Sequence, residues 1–595
     1  MHQISRHRQP AESRAWFRPK NLASSMLCVA VLLVCIYLVH PVVELATDDD
    51  WSYGKTAFDF ARSGHFVYNG WATAMLGWQV VWGALFIKVL GFSFFALRLS
   101  TVVTAAASAF LFHRVLLHFG IRSSNAVLGS LTLVLCPLFL PMATSFMTDV
   151  PSLLCLLLCV YGCQQALLAL KPRTSLLWLC GSAMLNVADG TVRQITWLGA
   201  LVMIPSAFWL LRRRRGFLQI GIVVWIASAV GIFLCMRWFQ HQPYSLPEHV
   251  MQGSLRLINV KYIVRALIFA PLDVLLFALP ILVAWLPRLR TCHRATKVRM
   301  LACAMLLGPL LLWLDRAGKL RPHLPPWAPN LVSKYGVMWS LPEMGAKPEI
   351  LGTGLLVSIS ALLGVSLLGW LISLTDKRRD PETSLLDPPV GVTESQMWVL
   401  LAPFALVYLA LLLPRAAFPQ LFSDIYDRYF IPLLMIVVVL LLRGWESQSR
   451  RSLPLTCYAV LFLFSLFGVA GTHDTFVGYR ATMQAVAELT ADHVAPTDIS
   501  ASWQYDGWNQ INLAGHINES RLVNPPGSYR PVSHPPLEKC DYWFGPLVPA
   551  IHPRFVVVTE PLKCLEASRY PAIPYETWLP PYQRQVLVQH NPEGR

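Results

Sequence analysis

Apolar segments long enough to cross a bilayer recur along most of this chain, and they constrain its fold more than any other feature. A helix needs about 20 consecutive apolar residues to span the hydrocarbon core. Segments near that length run approximately 22-40, 95-118, 125-142, 150-169, 175-189, 194-211, 217-237, 263-287, 299-315, 351-374, 397-414, 428-443 and 454-471. Taken together they predict about 13 transmembrane helices. Inside lipid each backbone N–H and C=O must find a partner, which a helix supplies within its own segment. Composition agrees: 55% of the 595 residues are hydrophobic and 14% are charged, against about 25% charged in ordinary globular proteins.

The charges sort by side. Arg6, Arg8, Arg14, Arg18 and Lys20 precede the first apolar run. No small-residue cleavage site follows it; an acidic, aromatic-rich loop and further spans do, so it reads as a retained span rather than a signal peptide. With the N-terminus in the cytoplasm, the basic clusters at Arg122, Lys171 with Arg173, Arg212 to Arg215, Arg288 to Arg299, Lys377 to Arg379, and Arg443 with Arg450 and Arg451 all fall inside, as the positive-inside rule requires. A formal charge of +16 arranged this way is topological. It forms no single basic face or tail for nucleic acid.

The expectation is an all-α polytopic membrane protein with a small C-terminal α/β domain outside the membrane. Its parts are a basic N-terminus at 1-21, a transmembrane region at 22-471 with a first external loop at 43-94, and an external domain at 472-595. An odd number of spans carries that last domain to the side opposite the N-terminus. The segment is rich in Pro, Trp and Tyr, with a helical stretch near Ala481 to Ala491 and β-branched runs at Phe555 to Thr559 and Gln585 to Gln589. Residues 376-396 read as a cytoplasmic linker, and Leu76 to Leu90 as either a membrane-surface helix or a span. Of 13 cysteines most lie inside apolar segments; Cys540 and Cys564 share the polar tail and are candidates to pair if it faces an oxidising compartment, a pairing that spacing alone does not establish.

On this topology the unusual polar residues gather at the outer ends of the helices. Thr47, Asp48, Asp49, Asp50, Trp51, Ser52 and Tyr53 follow the first span. Three adjacent carboxylates repel one another, so one of them held near the membrane with a raised pKa or a cationic partner suits a general base or cation site; a solvated loop capping the next helix through Asp50 or Ser52 is the plainer alternative. Asp149, in Thr148-Asp149-Val150-Pro151, reads as a functional carboxylate or as part of a helix cap. Arg193 with Gln194 interrupts two apolar segments, as a charge needing an anion or as a snorkelling interfacial residue. Asp427, Arg428 and Tyr429 open a span, where a local Asp-Arg pair is the alternative to a functional cation. His473, Asp474 and Arg480 read as the polar cap of the last span. Carboxylates beside arginines suit a reaction in which an acid deprotonates an acceptor while cations hold a phosphate leaving group. No Walker loop, dinucleotide fingerprint, zinc-spaced Cys or His set, or serine-nucleophile elbow is present.

The pattern resembles the polytopic GT-C glycosyltransferases of the protein O-mannosyltransferase and lipid A aminoarabinose transferase type. The residues that carry the resemblance are Asp49-Asp50-Trp51-Ser52-Tyr53-Gly54-Lys55-Thr56-Ala57, Gly64 to Trp71, Gly91 to Arg98, Thr148 to Pro151, Arg193-Gln194 and Asp427-Arg428-Tyr429. The sequence departs from the family at Asp50, where Glu is frequent, and Asp48 adds a third acid. The resemblance implies inverting transfer of a sugar from a polyprenyl-phosphate donor to a lipid, glycan or protein acceptor. Asp49 would be the general base, Asp50 and Asp149 supporting carboxylates, and Arg193, Gln194, Arg428 and Tyr53 the donor-phosphate site. No nucleotide is needed once the lipid donor is made; no cofactor is assigned, and a divalent metal is compatible with the reading but no metal site is predicted. The expected location is a bacterial inner membrane, with site and tail facing the periplasm. A lipid or solute transporter is the rival reading; transporters tend to place charges near the midplane and to show repeats, neither of which is evident. A scaffold presenting the outer domain is a third.

Overall fold

In the computed structural model the described residues are 19–247, 259–291, 313, 324–338, 344–345, 347–375, 391–417, 425–449, 451–523, 529–533 and 542–592. Among them, eight helices are long and apolar enough to cross a membrane: Pro19–Val39, Phe94–His118, Asp149–Leu168, Phe217–Gln240, Thr353–Leu374, Glu394–Arg415, Asp427–Gln448 and Leu455–Ala491. The bent pair Val260–Phe277 and Leu279–Arg290, which turns by 72°, is long and apolar enough only when its two halves are taken together, as a broken span or a re-entrant loop. Exposed Ile222, Val223, Ile226, Val230, Phe233 and Leu234 on Phe217–Gln240 have no reason to face water; their partner is lipid. The chain is an integral membrane protein.

Several of the 13 expected spans take other forms. The segment 125-142 forms a helix only over Ser123–Val134, then a separate turn at Phe139–Ala143, because Pro137 has no N–H to continue the ladder. Residues 175-189 belong to Pro172–Asp189, which is not among the spanning helices. The stretch 194-211 is composite, with a 3-10 turn Gln194–Trp197, a π turn Gly199–Met203 and a short helix Ile204–Leu210. The expected span 299-315 lies, but for Trp313, outside the described residues, as do 1–18 and most of the linker 376-396. The first external loop holds two helices, Asp50–Ser63 and Gly77–Leu90, the latter of 14 residues and too short to span.

Small residues set the close helix approaches. Asp149–Leu168 packs on Pro172–Asp189 at Gly162, where a Cβ would fall 1.8 Å from Ser182 Oγ. At one end of the bundle Arg122 bonds Glu446, and Arg214 donates to Ser175 Oγ (2.6 Å) and Ala169 O (3.0 Å). Asp48, Asp149, Arg193 and Arg428 sit at the opposite ends of those same helices or the loops that join them.

The expected boundary near residue 471 falls inside a continuous helix, Leu455–Ala491, of 37 residues. At 1.5 Å per residue it is about 55 Å long, well beyond the hydrocarbon core. Its first half exposes Phe462, Leu463 and Leu466; its second half places Ala481, Ala485 and Leu489 on one face, buried against Ile499, Val557, Ile573, Val586 and Val588 of the tail. There Ile499–Ser500 runs parallel to Phe555–Val558, which pairs antiparallel with Gln583–His590; that strand also pairs with Glu566–Ala567 and Ile573–Glu576. A sheet with open edges cannot sit in lipid, so the α/β tail lies outside the hydrocarbon. Asp474, expected as a polar cap, accepts the N–H groups of Trp578 (2.7 Å) and Leu579 (2.9 Å), and His473 stacks on Trp578 at 3.9 Å. Cys564 is disulfide-bonded, and Cys540 lies outside the described residues.

Asp506 ties helix Trp503–Ala514 to the sheet, accepting from Ser500 Oγ (2.7 Å) and Ala501 N (3.3 Å). Burial pushes its carboxyl up to about 7. A raised folded-state pKa makes a contribution complete below the unfolded value, about 3.9, and lost as pH rises through the folded one. Thermal melts of the full protein should therefore show the tail losing stability between about pH 4 and 7, a slope that Asp506→Asn removes.

Candidate active site

The acidic loop is held from three directions. Arg98, fully buried in Phe94–His118, donates to the carbonyls of Pro41 (3.3 Å), Val43 (2.6 Å) and Leu45. From the long helix the Tyr479 hydroxyl donates to Thr47 O at 2.9 Å, and from the tail Gln504 Nε2 donates to the same oxygen at 3.3 Å. These bonds satisfy backbone oxygens that a buried loop would otherwise leave unpaired.

The three acids then take different roles. Asp50 turns inward: its carboxylate accepts from Thr47 N (2.6 Å), Thr47 Oγ1 (2.9 Å), Asp48 N (3.0 Å) and Phe146 N (3.2 Å). Both oxygens are occupied and Asp50 does not line the cavity described below; expected as a supporting carboxylate, it holds the acidic loop from behind the chamber. Asp48 pairs with Arg428 Nη1 at 2.5 Å. Asp49 Oδ1 accepts the Trp71 indole N–H at 2.6 Å, while Oδ2 lies 3.4 Å from the Tyr53 hydroxyl and 3.8 Å from Arg428 Nη2. Burial holds the Asp48 and Asp49 carboxyls above the usual aspartate range, against the pull of the Arg428 guanidinium. The same burial, with Asp49 beside it, raises the Tyr53 phenol.

Opposite these groups Asp149, at the start of Asp149–Leu168, forms an ion pair with Arg193. No side-chain cap of that helix forms, so the capping alternative is not what the carboxylate does. Its Oδ2 is buried and has no hydrogen-bond partner among the described residues. Asp427 and Arg428, adjacent in sequence, point apart: Asp427 accepts from Leu331 N (2.9 Å) and Val332 N (2.8 Å), and Arg428 reaches back to Asp48. The local pair weighed from the sequence is not made. Gln194 donates to Thr73 O at 3.0 Å.

These pieces close around one cavity of about 430 Å3. Its polar wall carries Asp49, Tyr53, Asp149, Arg193, Gln194 and Arg428; its apolar wall carries Leu198, Leu201, Ile232, Met236, Phe239 and Leu411. Of the expected site residues only Asp50 is left out. Among the lining residues that the sequence did not single out as site residues are Tyr429 and Arg415. Tyr429 lies between two cations, with the Arg193 guanidinium 4.9 Å and the Arg415 guanidinium 5.1 Å from its ring centre. Arg415, which also donates to the Tyr429 hydroxyl at 3.3 Å, carried a signal: a lone guanidinium beside Pro414 in the last turn of an apolar helix. Among the described residues no group of three or more His, Cys, Asp or Glu side chains gathers to hold a metal ion. An acid, three guanidinium groups and an apolar trough in one chamber can remove a proton, neutralise a phosphate and accommodate a hydrocarbon chain.

No family model matches the chain, and no curated protein matches it. Among solved structures, that of the S. cerevisiae protein O-mannosyltransferase Pmt1-Pmt2 complex bound to the sugar donor is 12% identical, over 36% of this chain and 33% of that one, with a TM-score of 0.30. The chain thus spans about a third of the length of that mannosyltransferase chain. ArnT from Cupriavidus metallidurans in the apo state is 16% identical over 81% of each chain, with a TM-score of 0.36. The same protein bound to undecaprenyl phosphate is 17% identical over 79% of this chain and 81% of that one, with a TM-score of 0.35.

Proposed function

We propose that this chain is a membrane glycosyltransferase that moves a sugar from a polyprenyl-phosphate carrier to an acceptor hydroxyl at the non-cytoplasmic face. The observation that carries the reading is the composition of one cavity, which Asp49, Arg193, Arg415 and Arg428 line together with Leu198, Leu201, Ile232, Met236 and Leu411. In the reaction Asp49 takes the acceptor O–H proton and the acceptor oxygen attacks the anomeric carbon. The anomeric C–O bond to phosphate breaks, its electron pair stays on the phosphate oxygen, and the configuration inverts. Charge develops on that phosphate as the bond breaks, and the guanidinium groups stabilise it there, where low dielectric strengthens each interaction. Asp149 orients Arg193 through their ion pair. The apolar wall lets the prenyl chain pass from bilayer hydrocarbon into the chamber without being exposed to water.

The test is transfer of labelled sugar from a panel of polyprenyl-phosphate donors by the purified protein in proteoliposomes. Labelled acceptor appearing with the wild type supports the proposal. Flux of lipid or solute without transfer from any donor would instead identify a transporter.

A further inference from the structure

The site on the membrane side and the tail meet at a cluster of aromatic rings, and one ring of that cluster is bonded to the acid at the centre of the proposed chemistry. Trp71, near the middle of the loop between helices Asp50–Ser63 and Gly77–Leu90, donates its indole N–H to Asp49 Oδ1 at 2.6 Å. The Trp71 ring packs 5.4 Å from Trp51, 5.7 Å from Trp503 and 5.5 Å from Phe544, centre to centre. Trp503 and Phe544 belong to the tail, and both also pack edge-on against Trp51, at 6.2 and 6.1 Å. Gly507 lets the tail helix lie this close: a Cβ there would stand 3.0 Å from three atoms of the Trp51 ring. Trp51, Trp503 and Phe544 are buried, so the rings form a packed unit rather than a surface patch.

We propose that Trp71 is a positioning residue whose indole N–H fixes the Asp49 carboxylate for proton abstraction, and that Trp503 and Phe544 hold Trp71 in place, making the tail a structural part of the active site. The inference rests on the reading of Asp49 as general base. Two kinds of hold act on that carboxylate. Arg428 attracts it as a charge from 3.8 Å, whereas Trp71 contributes a directed bond to one oxygen and leaves the other beside Tyr53 and Arg428, both of which line the cavity. A bond that favours the ionised acid keeps it available as a base. The other charged and titratable groups around it are Asp48 on its own loop, Asp50 and Tyr53 on the following helix, and Arg428, Asp149, Arg193 and Arg415 in the chamber or bonded to its acids. None of these is altered by removing the indole nitrogen.

The experiment is the pH dependence of kcat at saturating donor in proteoliposomes for wild type, Trp71→Phe, Trp503→Leu and Asp49→Asn. Trp71→Phe keeps a ring and deletes the donor, so the carboxylate protonates more readily and the acid limb should move up by about one pH unit. Trp503→Leu leaves the N–H in place but loosens its support, and a smaller shift in the same direction is expected. A uniform loss of rate with an unmoved limb in Trp71→Phe means packing alone and overturns the inference. If Trp71→Phe fails to fold, Trp503→Leu decides: a folded protein with an unmoved limb overturns it. Retained activity in Asp49→Asn would sink the base assignment and this inference with it; lost activity there with an unmoved limb in Trp71→Phe sinks the inference alone.

Discussion

Asp49→Asn is expected to lower kcat for sugar transfer by roughly 10²- to 10⁴-fold, the range that removal of a positioned general base commands, with expression and donor binding unchanged. The amide has the same shape and retains an oxygen for the Trp71 indole, so the loop keeps its bonds to Arg98, Tyr479 and Gln504. What is lost is proton affinity at the one side chain of the acidic triplet that lines the cavity, beside the Arg428 guanidinium. Asp50 cannot substitute, because four donors already occupy its oxygens. Near-normal turnover in the variant would pass the role to Asp48. The base works only when ionised, so activity should rise with pH through the Asp49 titration, which burial places above the ordinary aspartate range. The acid limb of the wild-type profile measures this directly.

Arg428→Ala is expected to cost both stability and activity. The side chain joins two stretches separated by 380 residues, bonding Asp48 at 2.5 Å and lying 3.8 Å from Asp49. Removing one partner of a largely buried ion pair leaves the other charge without compensation, a loss of about 3–5 kcal/mol. If the guanidinium also faces the leaving phosphate, kcat should fall by a further 10²- to 10³-fold or so, as for other groups that stabilise developing charge. A second substitution separates the two effects. In the Arg428→Ala background, Asp48→Asn removes the stranded charge and should restore most of the thermal stability while leaving transfer impaired. Recovery of both together would make Arg428 a structural tie with no part in the chemistry.

The sequence made some of this visible for a physical reason. A charge among apolar residues is costly wherever lipid is the solvent, so Asp49, Asp149, Arg193 and Arg428 stood out before any fold was known, and they line one chamber. The β-branched runs of the tail became the paired strands Phe555–Val558 and Gln583–His590 because a half-buried sheet needs them. Other features depend on contacts that spacing does not encode. Hydrophobicity counts Pro137 as apolar and overlooks its missing N–H, so 125-142 read as one span and is two pieces. The inward turn of Asp50 needs the backbone of Phe146, nearly a hundred positions away. The helix Leu455–Ala491 runs through a boundary that a change in composition near residue 471 had suggested, because its face of Ala481, Ala485 and Leu489 exchanges lipid for the tail sheet without breaking the helix. Trp71 was one aromatic among 21 tryptophans until its nitrogen was seen against Asp49.

Every functional statement here depends on a lipid phosphate entering the chamber between the acids and the guanidinium groups. The most direct measurement is an experimental structure of the protein in lipid nanodiscs with a polyprenyl phosphate. Phosphate density is expected beside Arg193, Arg415 and Arg428, with the prenyl chain running along Leu198, Leu201 and Ile232. A lipid bound elsewhere, with this chamber empty at saturating ligand, would contradict it.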